Sequence, residues 1–168
     1  MTPFTHAERL VRIRPAGADD VGVLARHRAE MFREMGSLDA PVCASLIEAA
    51  AEYFARALPS GEYVAWVATP VLDPTTIVAG AGVQLRGMLP RPDHLGASLL
   101  AGQQALVVNV YTEPEWRRQG VAALLMQHVL DWSRERRIAS VVLHASAQGR
   151  GLYERLGFVP TNEMRHGG

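Results

Sequence analysis

Two short stretches hold residue types whose spacing suits anion binding and proton transfer. The first is Arg117-Arg118-Gln119-Gly120-Val121-Ala122. It follows an apolar, β-branched run, Leu106–Thr112, and precedes a helical pattern. Pro114 cannot donate to a sheet and closes the run. A helix that starts at small residues leaves several backbone N–H groups pointing one way, at the positive end of its dipole. Phosphate or diphosphate binds at such a start. Gly120 and Ala122 let a ligand come close to the backbone, and Arg117 and Arg118 add positive charge. The second stretch is Gly151-Leu152-Tyr153-Glu154-Arg155-Leu156-Gly157-Phe158. The Tyr153 phenol, with an ordinary pKa of about 10, is protonated at neutral pH and can donate to a developing anion. His144 lies shortly upstream, and its ordinary pKa of about 6.5 suits a base. Each has a competing reading. Tyr153 can be a packed ring with its hydroxyl in solvent, and His144 a histidine satisfied by its neighbours.

The elements that must position these residues are legible from periodicity. Residues 1–8 read as a loose tail. Arg9 to Arg14 alternates and predicts a first strand, ended by Pro15. Asp19 and Asp20 open a helix that runs to Met35, with Gly36 as its stop. Asp39 and Pro41 start a second helix. Tyr63–Thr69 and Thr76–Leu85 predict a β-hairpin. Arg86–Gln103, interrupted by Pro90, Pro92, Gly96 and Gly102, reads as a long irregular insertion of the kind that carries function. The central strand follows, then a helix from Val121 to about Arg136. Ser140–Ala145 reads as a strand, Gly149–Leu156 as a short helix, and Phe158-Val159 as the start of a last strand. The order is β-α-α-β-β-β-α-β-α-β. Consecutive strands predict antiparallel pairing, and the helix before Val141 predicts a parallel crossover.

Both stretches resemble motifs of the GNAT superfamily of acyl-CoA-dependent N-acyltransferases. Arg117, Gly120 and Ala122 fill the family's Gln/Arg-x-x-Gly-x-Gly/Ala pattern, and Leu152-Tyr153 with Gly157-Phe158 fills its Leu-Tyr-x-x-x-Gly-Phe core. The resemblance spans residues 9–164 and implies one α/β domain with a mixed sheet, with a short C-terminal tail at 165–168. It implies that Tyr153 is the general acid that protonates the leaving thiolate. By position, it implies that the backbone of Val110, Tyr111 and Thr112 pairs with the pantetheine amides as though the coenzyme were an added strand. It further implies that Arg117, Arg118, Gln119, Gly120, Val121 and Ala122 hold the diphosphate. Where the family often has Asn, this chain has Ser146, whose hydroxyl can still meet the pantetheine arm. The strand glutamate that serves as base in some members is absent, since Leu106 stands about there. His144 is the candidate base, ahead of Glu113, Asp39 and Glu34. Glu34 and Asn109 are candidates for the acceptor cleft.

Composition narrows the function classes. Lys+Arg and Asp+Glu balance at 17 each within 168 residues, and there is no long basic run, which speaks against a nucleic-acid binder. All the basic residues are arginine. Cys43 is the single cysteine, so neither an internal disulfide nor a cysteine zinc cluster can form. His6 and His166 lack metal-ligand spacing, and no metal is expected. No apolar run matches a membrane span or a signal peptide, so no membrane partner and a cytoplasmic location are expected. The expected function is acetyl transfer from acetyl-CoA to a primary amine of a small molecule or peptide, by direct attack in a ternary complex. A catalytically silent acyl-CoA sensor is the alternative. A homodimer fits the resemblance, whose members often pair through edge strands.

Overall fold

The structure is a computed structural model and describes residues 6–167. Five strands, Val11–Pro15 (β1), Tyr63–Pro70 (β2), Ala79–Pro92 (β3), Leu99–Thr112 (β4) and Ser140–Leu143 (β5), pair in that order in one mixed sheet. The first three pairings are antiparallel and β4–β5 is parallel, as the crossover predicts.

The helices cover both faces. His6–Leu10 (α1) precedes β1; Val21–Glu34 (α2) and Ala40–Ser60 (α3) separate β1 from β2. Val121–Glu135 (α4) is the crossover, and Arg150–Arg155 (α5) follows β5. Along β2, Trp66 and Ala68 pack with Val121, Leu125, Met126 and Val129 of α4, whereas Tyr63, Ala65 and Val67 pack with Leu24 and Ala25 of α2 and Ala50, Phe54 and Ala57 of α3. That alternation is the pleat, which sends successive side chains to opposite faces. Asp39 and Pro41 start α3 as expected, and Gly61 ends it at φ 76°.

Four expectations need correcting. Residues 6–8, placed in the tail, and Arg9 and Leu10, placed in the first strand, form α1, whose Ala7 is buried. Residues 1–5 of that tail, and Gly168, lie outside the described residues. The Arg86–Gln103 insertion is a two-stranded arm, because β3 and β4 remain paired to Pro92–Leu99. Its breakers sit where a ladder tolerates them. Leu89 and Pro90 together oppose Ala101 in a bulge between Met88 and Arg91, and a proline in a bulge costs no ladder bond. Asp93 closes the tip by accepting from the backbone N–H of Leu95 and Ala97 and from the Ser98 hydroxyl. Phe158-Val159 forms no strand, leaving β5 at the sheet edge. Phe158 instead packs edge-on against Tyr153. Finally, β5 ends at Leu143, so His144 lies just beyond it.

Candidate active site

The last rung between β4 and β5 is Val107–Leu143. Beyond it the strands part, and among the described residues no backbone hydrogen bond joins Val108–Thr112 to the chain after Leu143. A cleft of about 830 Å³ fills the opening. Its walls include Val110, Tyr111 and Thr112 on β4, Gly120, Val121 and Ala122 at the start of α4, His144 and Ser146 after β5, Tyr153 on α5, and Met31, Phe32 and Glu34 on α2.

The start of α4 has the predicted form. Gly120 caps it at φ 84°, a left-handed conformation that L side chains resist. Arg118 is also left-handed, at φ 58°. Among the described residues, the backbone N–H groups of Arg118 through Ala123 have no hydrogen-bond partner. Consecutive unpaired donors at a helix N-terminus form an anion nest. Arg118, Arg155 and Arg165 line the same cleft, and none of them forms a salt bridge among the described residues.

Arg117 departs from its expected place. Its Nε donates to the Thr112 carbonyl at 2.8 Å and its terminal nitrogen to Glu34 at 2.7 Å. Its guanidinium also lies over the Tyr111 ring. Arg117 therefore ties the turn to α2 and neutralises Glu34. The Gln119 side chain turns back to the Glu115 carbonyl, so only its main chain faces the nest.

β4 carries a bulge that sequence reasoning missed. Tyr111 pairs with Gly80 and Val108 with Gly82, so Asn109 and Val110 together oppose Ala81. Asn109 adopts φ 59°. Asparagine tolerates that region better than most residues, so its presence mid-strand was the available signal. The Asn109 side chain is buried and donates to the Leu24 carbonyl at 3.0 Å, so it braces α2, and the residue also lines the cleft.

The Tyr153 hydroxyl has no hydrogen-bond partner among the described residues, and the residue lines the cleft from α5. Burial raises its phenol above the ordinary value, so it keeps its proton through the neutral range. Its ring fits closely against Gly149, where an added Cβ would come within 2.9 Å. The Ser146 hydroxyl oxygen accepts from the Gly149 N–H at 3.1 Å, capping the turn into α5. Its O–H proton and its second lone pair remain available to a ligand. His144 is exposed on the cleft wall, with Nε2 2.7 Å from the Glu163 carboxylate. The other base candidates fare worse. Glu113 forms an ion pair with Arg26 and stands 3.3 Å from His27 Nε2, while Asp39 sits at the start of α3. Neither lines the cleft.

A family model described as Acetyltransferase (GNAT) family matches residues 24–158. The chain belongs to the GNAT acetyltransferase family. The fold agrees with solved GNAT structures. A GCN5-related N-acetyltransferase from Ralstonia eutropha JMP134 is 32% identical, with a TM-score of 0.81 over 94% of this chain and 97% of that one. A predicted acetyltransferase from Clostridium acetobutylicum, solved with acetyl-CoA, is 24% identical, with a TM-score of 0.76 over 95% and 96%. Glucosamine-6-phosphate N-acetyltransferase from Arabidopsis thaliana shares the fold at 14% identity and a TM-score of 0.65, over 94% and 97%. No curated protein matches this sequence. Among the described residues, this GNAT chain has no cluster of side chains suited to a metal ion and no helix long and apolar enough to cross a membrane.

Proposed function

We propose that this GNAT protein is an acetyl-CoA-dependent N-acetyltransferase that acylates a primary amine of a small molecule or peptide by direct attack. One observation carries the reading: among the described residues the backbone amides of Arg118 to Ala123 have no partner, and all of these residues but Gln119 line the same cleft as Tyr153. The nest suits the coenzyme diphosphate, with Arg118 and Arg155 adding charge. The free edge of β4 at Val110, Tyr111 and Thr112 suits the pantetheine amides, and Ser146 can donate to the same arm.

The two ends of the cleft then divide the chemistry. An amine entering from the α2 side meets the thioester near the β4 bulge. Amide groups released from the ladder at Asn109 and Val110 can donate to the carbonyl oxygen as it gains charge. The amine nitrogen bonds to the carbonyl carbon and the carbon–sulfur bond breaks. Tyr153 gives its proton to the departing sulfur. The proton lost by the amine returns the tyrosine to its neutral form through His144, whose ring Glu163 orients, or through solvent. Most of the rate comes from holding the two reactants together, with proton transfer adding about a hundredfold or more.

The test is thiol release over a panel of amines, paired with calorimetric titration of acetyl-CoA and of ATP. Saturable acetyl-CoA binding with amine-dependent thiol release is the expected result. Acetyl-CoA binding with no thiol release from any amine would instead make the chain a sensor.

A further inference from the structure

A second cavity, of about 250 Å³, adjoins the main cleft between α2, α3 and the sheet. Its walls are mainly apolar and aromatic, with Leu46, Tyr53 and Phe54 from α3, Tyr63 from β2 and Val108 from β4; Gln84 of β3 also lines it, its amide donating to the Tyr53 hydroxyl. An apolar cavity of about 150 Å³ is enough to take a benzene ring. Arg28 and Val108 line both spaces, so Arg28 stands at their junction.

Arg28 has no carboxylate partner among the described residues. On the same helix Arg26 is paired with Glu113 and Arg33 with Glu30. The Arg28 guanidinium lies 5.0 Å from the Phe32 ring centroid instead, which leaves its donors available. Carboxylates are scarce around it. Among the described residues the small cavity has none, and the only one lining the main cleft, Glu34, is neutralised by Arg117. A polycationic acceptor finds nothing here to hold its second ammonium. An acceptor with one amine, one carboxylate and an apolar side chain finds a place for each.

We infer that the acceptor is a free α-amino acid with an apolar side chain, its carboxylate held by Arg28, its side chain in the cavity under α3 and its amine directed into the cleft. The inference rests on the acetyltransferase reading above. The planar guanidinium fork suits a carboxylate held by two parallel bonds.

The test compares matched acceptors: phenylalanine, phenethylamine, alanine and spermidine, each with acetyl-CoA, following thiol release and the acetylated product by mass spectrometry. In the unaltered protein kcat/KM for phenylalanine should exceed that for phenethylamine by about tenfold to a hundredfold, the range expected for a charge-assisted pair. Arg28→Gln should bring that ratio near one while leaving acetyl-CoA affinity unaltered, and Arg28→Lys should restore part of it. Ala49→Trp, on the exposed rim of the cavity, should shift preference from phenylalanine toward alanine by about tenfold. Faster turnover of spermidine or phenethylamine than of any amino acid would overturn the inference and leave the acetyltransferase reading standing. An unaltered ratio in Arg28→Gln would do the same. Thiol release with no amine at all would remove both.

Discussion

The two faces of the sheet are built differently. On the α4 face the core is apolar, aliphatic side chains packed around Trp66, and the buried polar side chain on the helix, Ser133, donates to the Val129 carbonyl. On the α2–α3 face, four buried polar atoms lack a well-formed hydrogen bond among the described residues: His27 Nδ1 and Nε2, and Tyr63 Oη and Asn109 Oδ1, which lie close to each other but poorly aligned. Such atoms are costly where water cannot reach them. His27 Nε2 is within ion-pair distance of Glu113 but off the line of a hydrogen bond. On the proposed reading the coenzyme lies on the α4 side, whose buried side chains are satisfied while the amides at the start of the helix stay open. The acceptor would then lie on the side that carries the unsatisfied buried side chains.

The largest expected effect belongs to the coenzyme side. Gly120→Glu forces a side chain onto a residue at φ 84°, with its Cβ against Ala7, and brings a negative charge to the helix start that the diphosphate would use. Acetyl-CoA binding should fall below calorimetric detection, with circular dichroism checking that the fold survives. Binding at the original affinity would break the contrast, because the coenzyme would then lie elsewhere. Next comes Tyr153→Phe. It keeps the packing on Phe158 but removes the proton donor, so kcat should fall about a hundredfold or more. The coenzyme dissociation constant should stay within about threefold; an undiminished kcat would remove Tyr153 from the mechanism.

The third effect sharpens the contrast through stability. Burial, followed by the charge of Arg26, lowers the His27 pKa to about 4, against the opposing pull of Glu113. In the unfolded chain the imidazole returns to about 6.5. The folded value is the lower one, so protonation favours unfolding. Stability from this group is complete above about pH 6.5 and is lost as pH falls toward 4, by on the order of 3 kcal/mol. Urea midpoints measured between pH 7 and 4 should drop accordingly, and His27→Phe should flatten that part of the curve. A parallel drop in both proteins would exclude His27 as its source.

The smallest effect concerns Tyr63, which is 1% exposed with its hydroxyl seated over Gly82. A Cβ added at Gly82 would lie 2.0 Å from that oxygen. Gly82→Ala should cost about 1–3 kcal/mol by overpacking. Tyr63→Phe should raise stability by about 1 kcal/mol, because it deletes a buried donor without a well-formed hydrogen bond. A loss of stability in Tyr63→Phe would mean that the hydroxyl is satisfied after all, and the asymmetry between the faces would shrink.

How legible each half was in the sequence follows the same division. The strand–turn–helix from Leu106 to Glu135, the parallel crossover and the tyrosine helix rest on local rules, namely apolar runs, a proline stop and a glycine cap. Those rules survived folding. The arm from Arg86 to Gln103 did not read as strands, because its prolines and glycines look like breakers until a bulge and an Asp93-centred turn absorb them. Phe158-Val159 has strand-like residues, but Phe158 found its partner in Tyr153. The roles of His27 and Arg28 depend on Glu113 and on α3, far away in sequence, and no local pattern announces them. Arg117 matched its motif position, yet it is held by Glu34 across the cleft. A motif locates a backbone more securely than it locates a long side chain.

The central claim is that the amides at the start of α4 grip the coenzyme. A backbone-amide NMR titration with coenzyme A tests it most directly. The account predicts saturable shifts at Arg118 through Ala123, with a second set at Val110, Tyr111 and Thr112. Saturation of binding with those amides unmoved would contradict it.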